Sequence, residues 1–258
     1  MKVGVIGKGV LGSAVLDYYK SSTFFDIEHG GDLKSVCECD FIFICVPTPV
    51  SKGVSIVEEC VEKISSYKSG ENIYAETSVV VIKSTMLVGS TKLIQDKYPG
   101  LPIMYCPEFL TESISKADFR NPDKNIIGYT EKSLEFVYNL KTILPHAPYF
   151  SVLDSTSAEI IKLSINSYYA MKVIFGNMVY DICEEKGGDY DLVKEGFVSD
   201  KRITDSHFDI FHGDYRGFGG KCLPKDLEFF SEFLSGNSLD IVDKIYEYNR
   251  ELGEKCDS

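Results

Sequence analysis

The sequence lacks the paired ligands that metal sites use. Its 8 cysteines include no CxxC pair and no cysteine–histidine spacing of the kind that binds zinc. We therefore predict no metal site and expect most of the cysteines, Cys45 and Cys183 among them, to be core thiols. Thiols that stay reduced are typical of the cytoplasm.

Segments that direct a chain to or through a membrane are also lacking. The chain begins directly with MKVGVIG, without the basic region, the long apolar region and the cleavage site of a signal peptide. No apolar run approaches the length that spans a bilayer. We expect a cytoplasmic protein without a membrane partner.

Basic residues are in deficit. The chain has 27 lysines and arginines against 39 acidic residues, a net charge of -12, whereas nucleic-acid binders show a basic patch or stripe. We therefore expect no nucleic-acid partner, and an anionic small molecule would need a local cationic pocket. With 258 residues, 44% hydrophobic and 26% charged, the chain is long enough for one large globular domain or two modest ones.

Short apolar runs alternate with helical stretches in the first part of the chain. Residues 3–6 form an apolar run, followed by GKGVLG and by an amphipathic stretch over 13–20. Further strand-like runs are TFFDI, DFIFICVP, TSVVVIKST, PIMYCPEF and KNIIGY, with helix-like stretches such as VEECVEKISSY between some of them. This alternation predicts an α/β fold for residues 1–154, a Rossmann-like domain with a doubly wound parallel sheet.

The pattern changes near residue 154. Apolar residues recur at spacings of three, four and seven over 157–185, which predicts one long helix that joins domains or packs against a partner. Two further helical stretches, KDLEFFSEFL and LDIVDKIYEYNREL, follow. We predict an all-helical second domain over residues 155–258, built on the long helix.

The turn GKGVLG places glycines at positions 7, 9 and 12, in the pattern GxGxxG. The first glycine of that pattern makes the tight turn, the second lets a pyrophosphate approach the backbone, and the third lets helix and strand pack closely. Because a strand precedes the turn and a helix follows it, we favour dinucleotide binding over a structural turn. Asp26 is the best candidate for the acid that binds the ribose hydroxyls, with Glu28 and Asp32 as alternatives. An acid there favours NAD over NADP.

A second glycine-rich segment, GFGGKCLPKD, surrounds Cys222. Pro224 suits the first turn of a helix, which would place Cys222 at a helix N-terminus with Lys221 and Lys225 nearby. Such a place favours the nucleophilic thiolate. Asp226 would lie on the same helix face. From these residues alone, a reactive cysteine and a buried structural cysteine both stay open.

Six motifs occur in one order along the chain: GKGVLG, CVPTP, IKST, CPEFLTES, AEIIKLSINSYYA and GFGGKCLPKD. In this set and order the sequence resembles the UDP-glucose/GDP-mannose dehydrogenase family over nearly its whole length. The resemblance implies an NAD-dependent enzyme that oxidises the primary alcohol of a UDP-sugar twice. UDP-glucose to UDP-glucuronate is the foremost candidate reaction, through a cysteine thiohemiacetal and thioester.

The resemblance implies a role for each matching catalytic residue. Cys222 matches the nucleophile and Asp226 the carboxylate close to it. Lys162 and Asn166 match the pair that binds substrate and stabilises the oxyanion. Their spacing of four independently places them on one face of the long helix. Of Glu108 and Glu112, one is implied to activate water for thioester hydrolysis and the other to lie in the substrate and cofactor region, while Thr85 is implied to lie near the nicotinamide.

The resemblance also implies two binding sets. Arg202 matches an arginine that reaches the substrate, commonly across a subunit boundary. The cofactor set is Gly7, Gly9, Val10, Leu11, Gly12, Asp26, Val46, Pro47, Thr48, Thr85, Glu112 and Lys225. The substrate set is Glu108, Phe109, Leu110, Lys162, Asn166, Arg202, Tyr215 and Gly219.

Several departures from the family pattern bear on these roles. Thr111 and Lys124 stand where arginines are frequent, and the segment between Arg202 and Cys222 is longer than in many members. We expect the family's C-terminal UDP-binding domain to be absent, because the sequence ends where the helical domain ends. We also expect a homodimer through the long helix. Two other readings stay open: a truncated, non-catalytic or partner-dependent subunit, and a single-step β-hydroxyacid-type dehydrogenase, which needs a catalytic lysine but no cysteine.

Overall fold

The computed structural model describes residues 1–71, 78–213 and 215–254. The chain divides into two compact units, Met1–Lys162 and Leu163–Ser258. The division falls within the long helix, a little beyond the predicted boundary near residue 154.

The first unit is built on an eight-stranded sheet with the order β3-β2-β1-β4-β5-β6-β7-β8. All neighbouring strands are parallel except the pairs β2/β3 and β6/β7, which are antiparallel. This sheet confirms the predicted Rossmann-like fold class, with two antiparallel pairs in a sheet that was predicted to be parallel throughout. The strands are β1 Val3–Ile6, β2 Thr23–Asp26, β3 Gly30–Gly31, β4 Phe41–Ile44, β5 Val79–Ile82, β6 Ile103–Tyr105, β7 Lys124–Tyr129 and β8 Tyr149–Asp154.

Both faces of the sheet carry an apolar core. Phe41, Phe43, Val79 and Val81 belong to one buried cluster, whereas the residues that follow each of them belong to the other. Since successive side chains of a strand point to opposite faces, the central strands are covered on both sides, and they consist of apolar runs for that reason. The helices of this part are α1 Val10–Tyr18, α2 Leu33–Cys37, α3 Ser55–Glu71, α4 Ser90–Lys97, α5 Ser115–Arg120 and α6 Val137–Ile143.

The long helix, α7, runs over Ser155–Lys186 and confirms the predicted helix of 157–185. The second unit continues with α8 Tyr190–Val198, α9 Leu223–Ser231 and α10 Asn237–Glu254. The prediction of an all-helical second domain is wrong in one respect. A two-stranded antiparallel ribbon, β9 Phe211–His212 and β10 Tyr215–Arg216, lies between α8 and α9. The ribbon is too short for a sequence pattern of period two to reveal it.

The core of the second unit joins α7, α9 and α10. It contains Val173 and Ile174 of α7, Leu227 of α9, and Val242 and Leu252 of α10. None of the helices in the described part of the chain combines the length and apolarity that a bilayer crossing requires.

Candidate active site

The glycine-rich turn joins β1 to α1 in the first unit. Gly7 has a φ of 92°, in the left-handed region that glycine adopts without strain. A Cβ atom on Gly12 would lie 1.8 Å from the carbonyl oxygen of Gly7, so helix and loop approach more closely than a side chain permits. Around a Cβ on Gly9, by contrast, no described residue beyond its chain neighbours has an atom within 4 Å. A turn, an open approach and a close packing contact are what a pyrophosphate site at a helix N-terminus requires.

Asp26 ends β2 beside this turn. Its carboxylate accepts hydrogen bonds from the backbone N–H groups of Lys8 (2.7 Å), Glu28 (2.8 Å) and His29 (2.9 Å), and Nδ1 of the His29 ring lies 2.9 Å away. Burial alone would raise the pKa of Asp26, but these hydrogen bonds together hold the pKa well below its usual range. The group is therefore a carboxylate at neutral pH, tied to the glycine-rich turn through Lys8.

The two alternatives for the ribose-binding acid are placed differently. Asp32 caps α2, because its carboxylate accepts the N–H groups of Lys34 and Ser35, each at 3.1 Å. Glu28 is exposed, and its backbone N–H is bound to Asp26. Among the three acids, Asp26 is the one whose carboxylate is hydrogen bonded to the turn.

Glu108 and Lys162 form an ion pair in the first unit. The Lys162 side chain is 5% exposed, and its ammonium donates to the Glu108 carbonyl oxygen at 2.9 Å and to Oε1 of its carboxylate at 3.2 Å. Oε2 of Glu108 accepts the N–H of Leu110 at 2.6 Å. The Phe109 ring centre lies 5.4 Å from the Lys162 ammonium and 4.7 Å from that of Lys124, within range of cation–π attraction. The structure thus brings four of the predicted substrate residues together.

Of the other predicted residues of the first unit, Val10 and Leu11 lie in the first turn of α1, and the rest follow strands of the sheet. Residues 46–48 follow β4 and Thr85 follows β5, at the carboxyl edge of the parallel strands, where ligands of such sheets bind. Glu112 is exposed and begins a short 3-10 turn, Glu112–Ile114. Because Glu108 is half-buried and ion-paired, the two glutamates have different environments, as a division of acid and base work requires.

Sequence reasoning missed a second buried lysine, Lys83, directly after β5. Its side chain is 4% exposed. Its ammonium donates to the carbonyl oxygen of Cys106 at 2.9 Å and lies 3.5 Å from the sulfur of that residue. Its position directly after the buried run VVVI could have indicated a buried lysine, because a side chain at the end of such a strand seldom reaches water.

In the second unit, Cys222 is the N-cap of α9, and Pro224 lies in the first turn. The cysteine is exposed. Before it, Gly217 and Gly220 adopt φ values of 90° and 73°, which a side chain would strain. The carbonyl oxygen of Cys222 accepts the N–H of Asp226 at 2.9 Å. The cysteine therefore lies at a helix N-terminus, the place expected from the sequence, where the helix dipole favours a thiolate.

Asp226 lies one helical turn beyond Cys222 and is 1% exposed. Its Oδ2 accepts a hydrogen bond from the Asn166 amide at 2.5 Å, and its Oδ1 accepts one from the Lys225 ammonium at 2.5 Å. Three predicted residues thus form one network. The structure places the Lys225 ammonium, which was predicted to bind the cofactor, in an ion pair with Asp226.

Asn249 of α10 holds the loop that precedes Cys222. Its side chain accepts the N–H of Phe218 at 2.7 Å and donates to the carbonyl oxygen of Phe218 at 3.0 Å. The Tyr215 hydroxyl donates to the same carbonyl oxygen. A Cβ on Gly219 would lie 3.1 Å from the Tyr215 ring. Tyr215 and Gly219, both predicted to bind substrate, therefore pack against each other. The role of Asn249 could not be predicted, because in the sequence it is an ordinary residue of an amphipathic helix.

Arg202 extends from the segment after α8, with a side chain that is 88% exposed. Its Nε donates to Oδ1 of Asp200 at 2.9 Å, and its Nη2 donates to Oδ2 at 2.5 Å. Two residues after Arg202, the carbonyl oxygen of Thr204 accepts a hydrogen bond from the buried Lys172 at 2.9 Å, which anchors this segment to α7. Within the described part of the second unit, Arg202 contacts none of the other predicted site residues.

Two family models match the chain. Residues 26–143 match the NAD binding domain of the UDP-glucose/GDP-mannose dehydrogenase family, and residues 156–251 match the central domain of the same family. The first match confirms NAD as the predicted cofactor.

Relatives and solved structures agree with these matches. The UDP-glucose 6-dehydrogenase of Rickettsia bellii is 30% identical over 223 residues, which cover 81% of this chain and 49% of the relative. UDP-glucose 6-dehydrogenase TuaD of Bacillus subtilis is also 30% identical, over 228 residues, which cover 81% of this chain and 46% of the relative. The chain thus spans about half the length of the curated relatives that it matches.

A UDP-glucose dehydrogenase from Pyrobaculum islandicum has a similar structure, with a TM-score of 0.79 and 25% identity, over 98% of this chain and 68% of that one. The 3-hydroxyisobutyrate dehydrogenase of Mycobacterium tuberculosis shares the fold, with a TM-score of 0.72 at 13% identity, over 98% of this chain and 94% of that one. With both family domains matched in order, the chain belongs to the UDP-glucose/GDP-mannose dehydrogenase family.

Proposed function

We propose that the chain catalyses the NAD-dependent, four-electron oxidation of a UDP-sugar, with UDP-glucose to UDP-glucuronate as the reaction. The placement of Cys222 carries this proposal. It is an exposed cysteine at the N-terminus of α9, one turn from a buried carboxylate, Asp226, that is hydrogen bonded to Asn166. A cysteine that only filled a core would be buried, as Cys45 and Cys183 are. The relatives named UDP-glucose 6-dehydrogenase support this choice of substrate.

In the proposed reaction, Cys222 acts on the aldehyde that the first oxidation produces. Its thiolate attacks the carbonyl carbon, and the new carbon–sulfur bond gives a thiohemiacetal. Loss of a hydride from that carbon and of the proton from its hydroxyl gives the thioester. Water then breaks the carbon–sulfur bond, which releases the carboxylate and restores the thiol. NAD+, when bound, accepts the hydride of each oxidation, so that one sugar yields two NADH.

Lys162 and Asn166 are proposed to donate hydrogen bonds to the oxygen on which negative charge develops. The Lys162 ammonium is almost completely buried, and donors held away from water stabilise an oxyanion more than donors in water do. Glu108 or Glu112 is proposed to take a proton from the water that attacks the thioester. The half-buried position of Glu108 and its contact with Lys162 support Glu108 for this role.

For the cofactor, we propose that the pyrophosphate approaches Gly9 at the N-terminus of α1 and that Asp26 binds the ribose hydroxyls. The space beside Gly9 supports the first assignment. The second is supported by Oδ2 of Asp26, which accepts one hydrogen bond from the described residues, that of the Lys8 N–H, and so has capacity for a ribose hydroxyl.

We also propose that the chain forms a homodimer through α7. Five large apolar side chains of this helix are exposed. One is Ile160 (46%), and the other four follow at spacings of seven, three and four: Tyr168 (61%), Phe175 (54%), Met178 (52%) and Ile182 (58%). A row of this kind is typical of an interface. Phe175→Glu should shift the sedimentation of the protein to that of a monomer, whereas Phe233→Glu, at an exposed apolar residue outside α7, should not.

The enzyme proposal is tested by a substrate screen with a cysteine variant. Wild-type protein, Cys222→Ser and the thiol control Cys183→Ser are each incubated with NAD+ and UDP-glucose, UDP-N-acetylhexosamines or GDP-mannose, and NADH formation is followed. We expect the wild type and Cys183→Ser to form the sugar acid from UDP-glucose. Cys222→Ser should bind NAD+ but form no acid.

Two outcomes would contradict the proposal. Full turnover by Cys222→Ser would favour a single-step hydroxyacid-type dehydrogenase, which requires a lysine but no cysteine. A folded wild-type chain that binds NAD+ and oxidises no nucleotide sugar would favour the partner-dependent reading.

A further inference from the structure

The strand ends of the first unit place Lys83 beside the segment that carries Glu108. Lys83 follows β5, and Cys106 follows the neighbouring strand β6. The N–H of Cys106 donates to the carbonyl oxygen of Ile82 at 2.8 Å, which is the last link of this strand pair. Beyond it, the chain leaves the sheet through residues 106–108 and no longer has a strand partner to orient it.

Two buried ammonium groups hold the two ends of this short segment. Lys83 donates to the carbonyl oxygen of Cys106 at 2.9 Å, and Lys162 donates to that of Glu108, also at 2.9 Å. Lys162 and Leu110 then fix one oxygen each of the Glu108 carboxylate. Backbone and side chain of Glu108 are thus both oriented, and Lys83 supplies the contact nearest to the sheet.

Packing alone does not explain a lysine at position 83. The ammonium lies 5.9 Å from the ring centre of Phe43 and 5.8 Å from that of Phe119. Within the residues that the structure describes, no acidic side chain forms an ion pair with it. A buried ammonium is unfavourable unless hydrogen bonds compensate its lost hydration, and an apolar side chain would fill the same space without that loss. The charge-assisted hydrogen bond to the Cys106 carbonyl is the contact that an apolar residue could not make.

We propose that Lys83 is a positioning residue for Glu108. It fixes the peptide of Cys106 as the chain leaves β6, and Lys162 fixes the other end, so that the Glu108 carboxylate is held in one orientation for the proton transfer proposed above. This inference rests on the proposed function for the role of Glu108. The placement of the segment by Lys83 does not depend on it.

Hydrogen exchange tests the placement without any need for activity. Lys83→Met keeps the length of the side chain and removes the donor; Lys92→Met, at an exposed lysine of α4, is the matched control. We expect amide exchange over residues 104–112 to be about tenfold faster in Lys83→Met, with residues 7–18 and the Lys92→Met protein unchanged. Cys106→Ala, which removes the sulfur contact and keeps the carbonyl, should exchange like the wild type. Unchanged exchange over 104–112 in Lys83→Met would overturn the proposal.

Kinetics test the consequence for the reaction. With the sugar nucleotide that the wild type oxidises, Lys83→Met should lower kcat about 10- to 100-fold, the range expected when a reacting group is misplaced by about an ångström. The KM for NAD+ should stay within about twofold, because the glycine-rich turn is untouched. Lys83→Arg, which keeps a cationic donor, should recover part of kcat. Equal kcat in Lys83→Met and the wild type would overturn the proposal.

Different results identify a failure of the proposed function and a failure of the placement by Lys83. If the wild type oxidises no nucleotide sugar, the proposed function fails while hydrogen exchange still decides the placement. If Lys83→Met does not fold, Lys83→Leu, which also lacks a donor, carries the exchange test with Lys92→Leu as its control. Faster exchange confined to 104–112 is then expected, and a profile identical to the wild type overturns the proposal.

Discussion

Alanine at position 9 separates ligand binding from stability at the glycine-rich turn. The methyl group of Gly9→Ala would enter space in which no described residue beyond the chain neighbours has an atom within 4 Å. Gly9 has a φ of -70° and a ψ of -158°, an extended conformation that alanine adopts without strain. A substitution of this kind stabilises a protein by up to about 1 kcal/mol, because it restricts the unfolded chain. We therefore expect Gly9→Ala to unfold at the same urea concentration as the wild type or at a higher one.

The affinity for NAD+ should respond in the opposite way. If the space is where the pyrophosphate approaches the backbone, the methyl group displaces the phosphates from the N–H groups at the start of α1. We expect the Kd for NAD+ to rise at least about tenfold, which corresponds to about 1.4 kcal/mol.

Gly12→Ala and Gly100→Ala are the comparison variants. The Cβ of Gly12→Ala would lie 1.8 Å from the carbonyl oxygen of Gly7, against the 3.4 Å at which ordinary contact begins. Since the atoms that the new Cβ meets belong to the backbone of Gly7, α1 must shift. We expect a loss of about 3 kcal/mol in the free energy of unfolding together with the loss of NAD+ binding. Gly100→Ala, where no described residue lies near the new Cβ, should change neither quantity.

Calorimetric titration with NAD+ and urea unfolding followed by circular dichroism measure the two quantities. If Gly9→Ala binds NAD+ as tightly as the wild type, the pyrophosphate does not approach the backbone at Gly9. If Gly9→Ala loses affinity only in proportion to a loss of stability, the space beside Gly9 has a structural role and is not a binding site.

Three further predictions concern single side chains. Asp26→Asn should weaken NAD+ binding. In urea melts the stability advantage of the wild type should be constant above about pH 5 and shrink below about pH 4, because a carboxyl whose folded pKa is lowered stabilises fully above its unfolded pKa of about 3.9 and loses that contribution as the pH falls toward the folded pKa. Asn166→Asp would bring a second carboxylate to the buried Asp226 and should cost about 3 kcal/mol at pH 7, partly regained at acid pH, whereas Asn166→Ala should cost less. Asn249→Ala would leave the N–H of Phe218 without its hydrogen bond, which we expect to cost about 1 to 3 kcal/mol and to change the rate at which Cys222 is alkylated.

Much of the fold could be predicted because its signals are local. The runs FIFI and VVVI are buried on both faces, and the apolar spacing of α7 persists over many turns, so their types follow from the sequence. The missed strands lack such signals. β3 consists of two exposed glycines, and only its pairing with the preceding strand β2 defines it. β8 has no buried residue and is defined by its pairing with β7, which is distant in sequence.

The site residues likewise differ in whether the sequence alone predicts them. Residues that stand in dense motifs, such as Cys222 beside its glycines, can be predicted because the motif itself sets the local backbone. Lys83 and Asn249 could not, because their partners lie 23 and 31 residues away along the chain. Whether a lysine or asparagine is buried against a distant carbonyl depends on the packing of whole elements, which a single sequence does not state.

The ratio of NADH formed to UDP-glucose consumed shows whether the chain carries out both oxidations. With UDP-glucose limiting and NAD+ in excess, we predict two NADH per sugar and UDP-glucuronate as the product, because Cys222 retains the aldehyde until the second oxidation. A ratio of one, with the aldehyde released, would contradict the proposed thioester mechanism.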